Sequence, residues 1–596
     1  MARLFLLLFV AAQSALAARL EIPLRVPLDT VREALAANVS RELYREGRCR
    51  YLNMEQPRLE AADGQLRYTG PGNGALGVEL NGKCRSGAAW RGAVDFTLLP
   101  RIDEAGRLRM SIVDSRLTHG NPGINMLWDL GKRQVHARLE RVSYDLGASR
   151  EALLGLLRSA APAGQTALME QALQQMQVLQ PRVETTEVVV PMVLELPDAW
   201  LAAPAAAAPS GAPLSEAEMD ALDAALAPWD AFLVYIVRQA AIDGQDSALR
   251  ERLFTLLLDS RYQLVSIISG EAQTTGDPLR ALFLETWSEL RTILTDARRQ
   301  GTLPPSLLRY ALFVDAGDAL LALENAAPGL ALSAEGLRSL ARSLKPGDTV
   351  DPLAYQWNVD PELRSLFDVS EPPETQIPPP PPTLPPSKSW LDFFIGRAFA
   401  APELDRWIPT RDELPDYRVR INEVLQKTAA SELARSHFAA PHDAIYRNLV
   451  PTTALIESCW RQFVVRGGKV TYLRSQSHSV GIMQVNQKVW RGFYDVERLR
   501  WDTAYNIRAG SQILARYVKS YAIPYAQKHG DDASSIPRAA YAVYNAGPRA
   551  VGRFAKEKRH PREARVDDKL WALYQGIAAG SQVDLASCGV KGPASQ

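Results

Sequence analysis

Five consecutive prolines, Pro378 to Pro382, sit inside a proline-rich stretch running from Pro372 to Pro386, and no helix or sheet ladder can pass through it. Each proline removes a backbone N–H and fixes φ near −65°. The stretch therefore favours polyproline II and spaces its neighbours by about 3.1 Å per residue. A second break, the Ala/Pro-rich Ala202 to Pro213, interrupts all periodicity upstream. At 596 residues the chain is too long for one ordinary core. The two breaks divide it into a multidomain α+β protein: a leader at 1–18, a β-rich α+β domain at 19–200, a linker at 201–213, a helical domain at 214–370, a linker at 371–388 and a C-terminal domain at 389–596. A fragment beginning near Ser389 is expected to fold by itself.

The leader has Arg3, then the apolar run Leu4 to Ala12, then the small-residue pattern Ala15-Leu16-Ala17. This is the form of a Sec-type signal peptide. No cysteine lies at the cleavage point and no later apolar stretch approaches 20 residues, so the expectation is a soluble, periplasmic protein that is not a lipoprotein. A formal net charge of +1 gives no field for nucleic acid. Seven scattered histidines and four cysteines show no metal-ligand spacing, so neither metal nor cofactor is expected. The cysteines allow three disulfide connectivities. Pairing within regions, Cys49 with Cys84 and Cys459 with Cys588, is the economical one.

Within 19–200, Leu20, Ile22, Leu24 and Val26 alternate at period two, as do Leu108, Met110 and Ile112. Asp63-Gly64 and Asn81-Gly82 mark tight hairpin turns, and Val31 to Val39 and Arg150 to Leu157 are helical patterns. This order of strand, amphipathic helix and long hairpins resembles tubular lipid-binding domains, which would make a lipid a partner. The other reading is a docking or spacer domain for an envelope complex. From Leu214 a capping-box pattern, Ser215 with Glu218, opens a helical region whose apolar stripes are core and carry no chemistry.

Chemistry concentrates between about 440 and 580. Pro451-Thr452-Thr453-Ala454-Leu455-Ile456-Glu457-Ser458 reads as a helix opened by Pro451, with Glu457 near its C-terminal end. Downstream come Ser479-Val480-Gly481-Ile482-Met483-Gln484-Val485-Asn486, then Asn506-Ile507-Arg508-Ala509-Gly510, then Ala542-Val543-Tyr544-Asn545-Ala546-Gly547. This ordered series resembles the motifs of the soluble lytic murein transglycosylase (SLT) family. The resemblance covers roughly the last quarter of the chain. It departs from the family in a longer interval between Glu457 and Gly481, with Gly467 and Gly468 inside it, and in Cys459-Trp460.

The resemblance implies a mainly-α, goose-type lysozyme-like catalytic domain that cleaves peptidoglycan glycan strands. One carboxylic acid, Glu457, would protonate the bond between N-acetylmuramic acid and N-acetylglucosamine, then deprotonate the muramyl 6-hydroxyl as it closes on the anomeric carbon. The substrate's acetamido group replaces a second carboxylate, and the product is a 1,6-anhydromuramyl end. By the same resemblance Tyr544 orients Glu457 through its hydroxyl, Ser458, Gly481, Met483, Gln484 and Asn545 are substrate-binding positions, and Met483 packs on the sugar face. Gly481 and Gly547 read as turn or close-approach positions, and Asn506 to Gly510 as support for a helix start. Two alternatives stand beside this: a hydrolytic muramidase that uses Asp495, Glu497 or Asp502 to position water, and a catalytically silent peptidoglycan-binding scaffold.

Overall fold

The computed structural model describes residues 19–38, 42–119, 122–144, 146–160, 165–196, 216–244, 246–269, 278–302, 313–314, 316–318, 334–345, 349–354, 358–369, 404–530 and 532–588. The leader, both linkers and the apolar segment Trp390 to Phe399 lie outside the described residues. The chain forms two units: Met1–Pro209 with Leu279–Leu353, and Ser210–Pro278 with Ala354–Gln596. Mixed helix and sheet, with strands early and helices later, follows the reading of the sequence. The expected separate helical domain at 214–370 does not form. Its residues divide between the two units.

The first unit begins with β1 (Arg19–Pro27) and α1 (Leu28–Asn38), followed by β2 (Glu42–Glu46), β3 (Arg50–Met54), β4 (Arg58–Ala62), β5 (Gln65–Leu80), β6 (Lys83–Ile102) and β7 (Leu108–Leu117). Then come α2 (Pro122–Glu140), β8 (Ser143–Tyr144), α3 (Gly147–Ala160), α4 (Thr166–Gln174), β9 (Gln177–Val178), β10 (Arg182–Val183) and β11 (Glu187–Glu195). β1 and β11 pair antiparallel over their full length, Arg19 with Glu195 and Pro27 with Glu187. Leu20, Ile22, Leu24 and Val26 are buried, so the period-two alternation marks one covered face. The larger antiparallel sheet has the order β2-β3-β5-β6-β7-β8, with β4 on β5. Its tight turns are Asp63-Gly64 and Asn81-Gly82, all four residues at positive φ as the hairpin twist demands. The Cys49–Cys84 disulfide ties the β2–β3 turn to the start of β6. Trp128 of α2 meets Phe96 on this sheet at 5.8 Å between ring centroids.

After β11 the described chain continues as α5 (Glu216–Asp243), α6 (Ser247–Ile268), α7 (Pro278–Arg299) and α8 (Ala334–Leu344). α7 and α8 belong to the first unit, where Asp318 accepts from Trp287 at 3.0 Å and pairs with Arg25 of β1 at 2.7 Å. α5 and α6 belong to the second unit. Ala231 to Val237 of α5 are buried without interruption, and a helix apolar on every side must be enclosed. The second unit encloses it with α9 (Pro361–Leu366), α10 (Leu414–Ser436), α11 (Ala440–Ser458), the hairpin β12 (Phe463–Arg466) and β13 (Lys469–Tyr472), and the short pair β14 (Ser479–Val480) and β15 (Val485–Asn486). Later in the unit come α12 (Val496–Trp501), α13 (Thr503–Tyr517), a π-helical turn at Val518–Ala522, α14 (Ile523–Lys528), α15 (Ser535–Ala546) and finally α16 (Pro561–Ala578). Among the described residues no helix is long and apolar enough to cross a membrane.

A buried ionic cluster joins α5 and α6 to the later chain. Arg261, 1% exposed, pairs with Asp230 at 2.7 Å and donates to the carbonyls of Val489 at 3.1 Å and Arg491 at 2.8 Å. Arg491 returns to Asp230 at 3.1 Å. Burial alone would raise the Asp230 pKa, but the two guanidinium groups outweigh it and hold the carboxyl below its ordinary value. The independent folding expected of a fragment beginning near Ser389 is therefore reversed, because such a fragment lacks α5 and α6. It should be insoluble or melt without a cooperative transition, and co-expression with residues 210–278 should restore one. Arg261→Ala leaves buried Asp230 with Arg491 as its remaining partner and strands two carbonyls, and is expected to cost about 3 to 5 kcal/mol in chemical denaturation. A cooperative melt of the isolated fragment, or a loss below about 1 kcal/mol for Arg261→Ala, contradicts this account.

Candidate active site

Glu457 is the penultimate residue of α11, which starts at Ala440, eleven residues before Pro451. The expectation that Pro451 opens this helix is corrected: Pro441 takes the first turn and Pro451 lies in the interior. There the indole N–H of Trp460 donates to the Pro451 carbonyl at 2.9 Å. The helix stops because Cys459 and Trp460 are both left-handed, φ 53° and 58°. That turn leaves Glu457 half-buried at the helix C-terminus, where the exposed carbonyl ends oppose a negative charge.

Burial raises the Glu457 pKa to about 7, against the opposing pull of the Tyr541 hydrogen bond and the Arg553 charge. Tyr541 donates to Glu457 Oε1 at 2.9 Å. The role expected of Tyr544 is thus corrected. Its hydroxyl donates instead to the Met483 carbonyl at 2.7 Å. Both tyrosines lie on α15, three residues apart and so on one face, which is the signal that could have pointed to Tyr541.

Three of the expected substrate positions do not line the cleft; they build the turn that borders it. Ser458 Oγ donates to the Ile482 carbonyl at 2.6 Å and is buried. Met483 is fully buried against α13, where a side chain on Gly510 would come within 2.4 Å of it, so it cannot pack on a sugar. Gly481, at φ +75°, has no room for a side chain: an added Cβ would lie 2.3 Å from the Asn506 amide and 2.4 Å from Gln462 Oε1. Asn506 accepts from Met483 N and donates to the carbonyls of Val480 and Leu499, all at 2.9 Å. It is a clamp on the turn, rather than support for its own helix start alone. Gln462, for which the sequence carried no signal, accepts from Ile482 N at 2.7 Å and donates to the Leu499 carbonyl at 3.0 Å.

Glu457, Gln484, Tyr544 and Asn545 do line one cleft of about 650 Å³. Ser475, Ser477, Ser479 and Asn486 form a second stretch of its wall. The hairpin β12–β13, built around Gly467-Gly468, accounts for the long interval after Glu457, but the cleft residues come from the segment that follows it. Arg553 closes another side, its guanidinium held by buried Asp567 at 2.7 Å, with His560, Arg562 and Glu563 beside it. The wall also includes Tyr262, Val265 and Ser266 of α6.

The carboxylates considered for a hydrolytic water are not in this wall. Asp495 and Asp502 cap α12 and α13, accepting from Arg498 N at 2.9 Å and Tyr505 N at 2.8 Å, while exposed Glu497 pairs with Arg500 at 2.6 Å. The expected Cys459–Cys588 bond is also corrected, because both are free thiols and Cys459 Sγ points to the Cys588 carbonyl at 3.4 Å.

Between pH 4.5 and about 7 the unfolded chain has released the Glu457 proton that the folded chain retains, so this group's contribution to stability falls as pH rises through that window. Glu457→Gln should therefore gain on wild type from pH 4.5 to about 7 and keep a constant lead above it, by no more than about 3 kcal/mol. Tyr541→Phe removes a bond that favours the ionised form, so it should move the Glu457 titration upward. Thermal melts across pH and carboxyl-carbon NMR check both. Parallel pH profiles for wild type and Glu457→Gln would contradict the assignment.

Residues 437–566 match the family model of the transglycosylase SLT domain. No curated protein and no solved structure matches the chain.

Proposed function

We propose that this chain, whose residues 437–566 are a transglycosylase SLT domain, cleaves the β-1,4 bond between N-acetylmuramic acid and N-acetylglucosamine in peptidoglycan and leaves 1,6-anhydromuramyl ends. The observation that carries the reading is Glu457, a carboxyl with a pKa of about 7 in the wall of a polar cleft, held by one tyrosine hydroxyl. A group with that pKa is protonated in a large fraction of molecules at neutral pH and is also a competent base once it has given its proton away. Glu457 protonates the glycosidic oxygen as the bond breaks. The substrate's acetamido group stabilises the anomeric carbon, and the Glu457 carboxylate then takes the 6-hydroxyl proton as that oxygen closes on the same carbon. The proton returns to its starting atom and no water is consumed. Tyr541 orients the carboxyl, while Gln484 and Asn545 face the cleft with amides suited to acetamido and hydroxyl groups.

A hydrolytic reading has one specific support, which is Glu563. Its exposed carboxylate at the start of α16 lines the same cleft and could hold a water. Mass spectrometry of muropeptides released from purified peptidoglycan separates the two. Transglycosylation gives anhydromuramyl ends, lost by at least about 10⁴-fold in Glu457→Gln because one residue serves both proton transfers, with Glu563→Gln retaining turnover. Reducing ends that vanish in Glu563→Gln would establish hydrolysis instead. In the first case kcat/KM should fall above pH of about 7 as Glu457 ionises, and that limb should shift to higher pH in Tyr541→Phe.

A further inference from the structure

The SLT match begins at residue 437, yet α6 (Ser247–Ile268) lies against the cleft from nearly two hundred residues upstream. One face of this helix is fastened to the catalytic elements turn by turn. Glu251 pairs with Arg516 at 2.9 Å, and the Thr255 hydroxyl lies 2.8 Å from that of Tyr521. Asp259 accepts from Arg549 N at 3.3 Å. The Tyr262 hydroxyl donates to the Tyr544 carbonyl at 3.1 Å and lies 3.1 Å from the Tyr517 hydroxyl. The spacing 251, 255, 259, 262 is that of a single helical face, and its continuation is 265 and 266. These last two, with Tyr262, open into the cleft.

The Tyr262 ring covers the turn at the end of α15. Gly547 sits there at φ +89°, and a side chain on it would come within 2.8 Å of the ring. The ring thus lines the same cleft as Tyr544 and Asn545. Tyr262 and Ser266 are half-buried, keeping an open surface, while Val265 backs them from the core. An aromatic ring, a valine and a hydroxyl make an amphipathic wall suited to a sugar ring, which has apolar C–H faces and a polar rim.

We infer that α6 supplies a sugar-binding wall of the cleft, with Tyr262 and Ser266 contacting the glycan strand as specificity-determining residues outside the SLT-matched stretch. The inference rests on the proposed action on peptidoglycan glycan, and it gives a binding role to a helix whose apolar stripe reads in sequence as core alone. The wall is rigid, because each helical turn leading to it carries its own polar fastening.

The test uses the full-length chain with Glu457→Gln, so that binding is read without turnover, and a fluorescently labelled octasaccharide of alternating N-acetylglucosamine and N-acetylmuramic acid. Ser266→Trp fills the open side of the wall and breaks no side-chain bond, so it should melt like its parent and bind at least about tenfold more weakly. Tyr262→Ala should lose a similar factor, whereas Tyr262→Phe, which keeps the ring, should stay within about threefold. Octasaccharide binding by Ser266→Trp equal to that of the parent, or absence of binding by the parent, overturns the inference. The products of wild type report separately on the reaction: if reducing ends appear while Ser266→Trp still weakens binding, the wall stands and the transglycosylase assignment falls.

Discussion

The cleft depends on how the turn from Val480 to Gln484 is held. This backbone carries two left-handed residues, Gly481 and Gln484, and its carbonyls and amides face inward, where water cannot satisfy them. Four side chains from four separate places do so instead: Ser458 at the end of α11, Gln462 just beyond it, Asn506 on α13 and Tyr544 on α15. A buried polar group left without a partner costs about 1 to 3 kcal/mol, so these contacts are mutually dependent. Once the turn is fixed, Gln484 faces the cleft, and the end of the Glu457 helix is tied to it through the very next residue.

The same arrangement sets the chemistry of Glu457. A desolvated carboxyl at a helix C-terminus favours its protonated form, and the single neutral hydroxyl donor, Tyr541, offsets only part of that. The Arg553 charge that acts on this carboxyl is already paired with buried Asp567, which limits how far it can pull the pKa back down. The outcome is a group near 7 rather than near 4.5, and burial, not a second carboxylate among the described residues, is what raises it.

The wider frame is the buried cluster of Asp230, Arg261 and Arg491. Replacing such a cluster with apolar side chains is often neutral or stabilising, so its value lies in orientation. A guanidinium that must reach one carboxylate and two particular carbonyls permits a single placement of α6 against the 489–491 segment. That placement brings Tyr262 to the cleft.

Local pattern was enough for several features. The alternation at Leu20 to Val26 marked β1, the Asp-Gly and Asn-Gly pairs marked hairpin turns, and the ordered motifs from Glu457 to Gly547 pointed to the SLT domain. Each of these is carried by residues close in sequence, whose period or turn geometry is a backbone property. Partner choice was not legible. That Tyr541 rather than Tyr544 reaches Glu457, that Met483 turns into the core, and that α6 joins the cleft while α7 joins the other unit all depend on contacts between distant segments. An apolar stripe states that a helix face must be covered and is silent about what covers it. By itself the sequence determined the alternating strand β1 and the tight hairpin turns, and it singled out Glu457 as the candidate acid. Tertiary structure alone decided which hydroxyl meets Glu457 and which helix walls its cleft, because side-chain direction and long-range packing have no local signature.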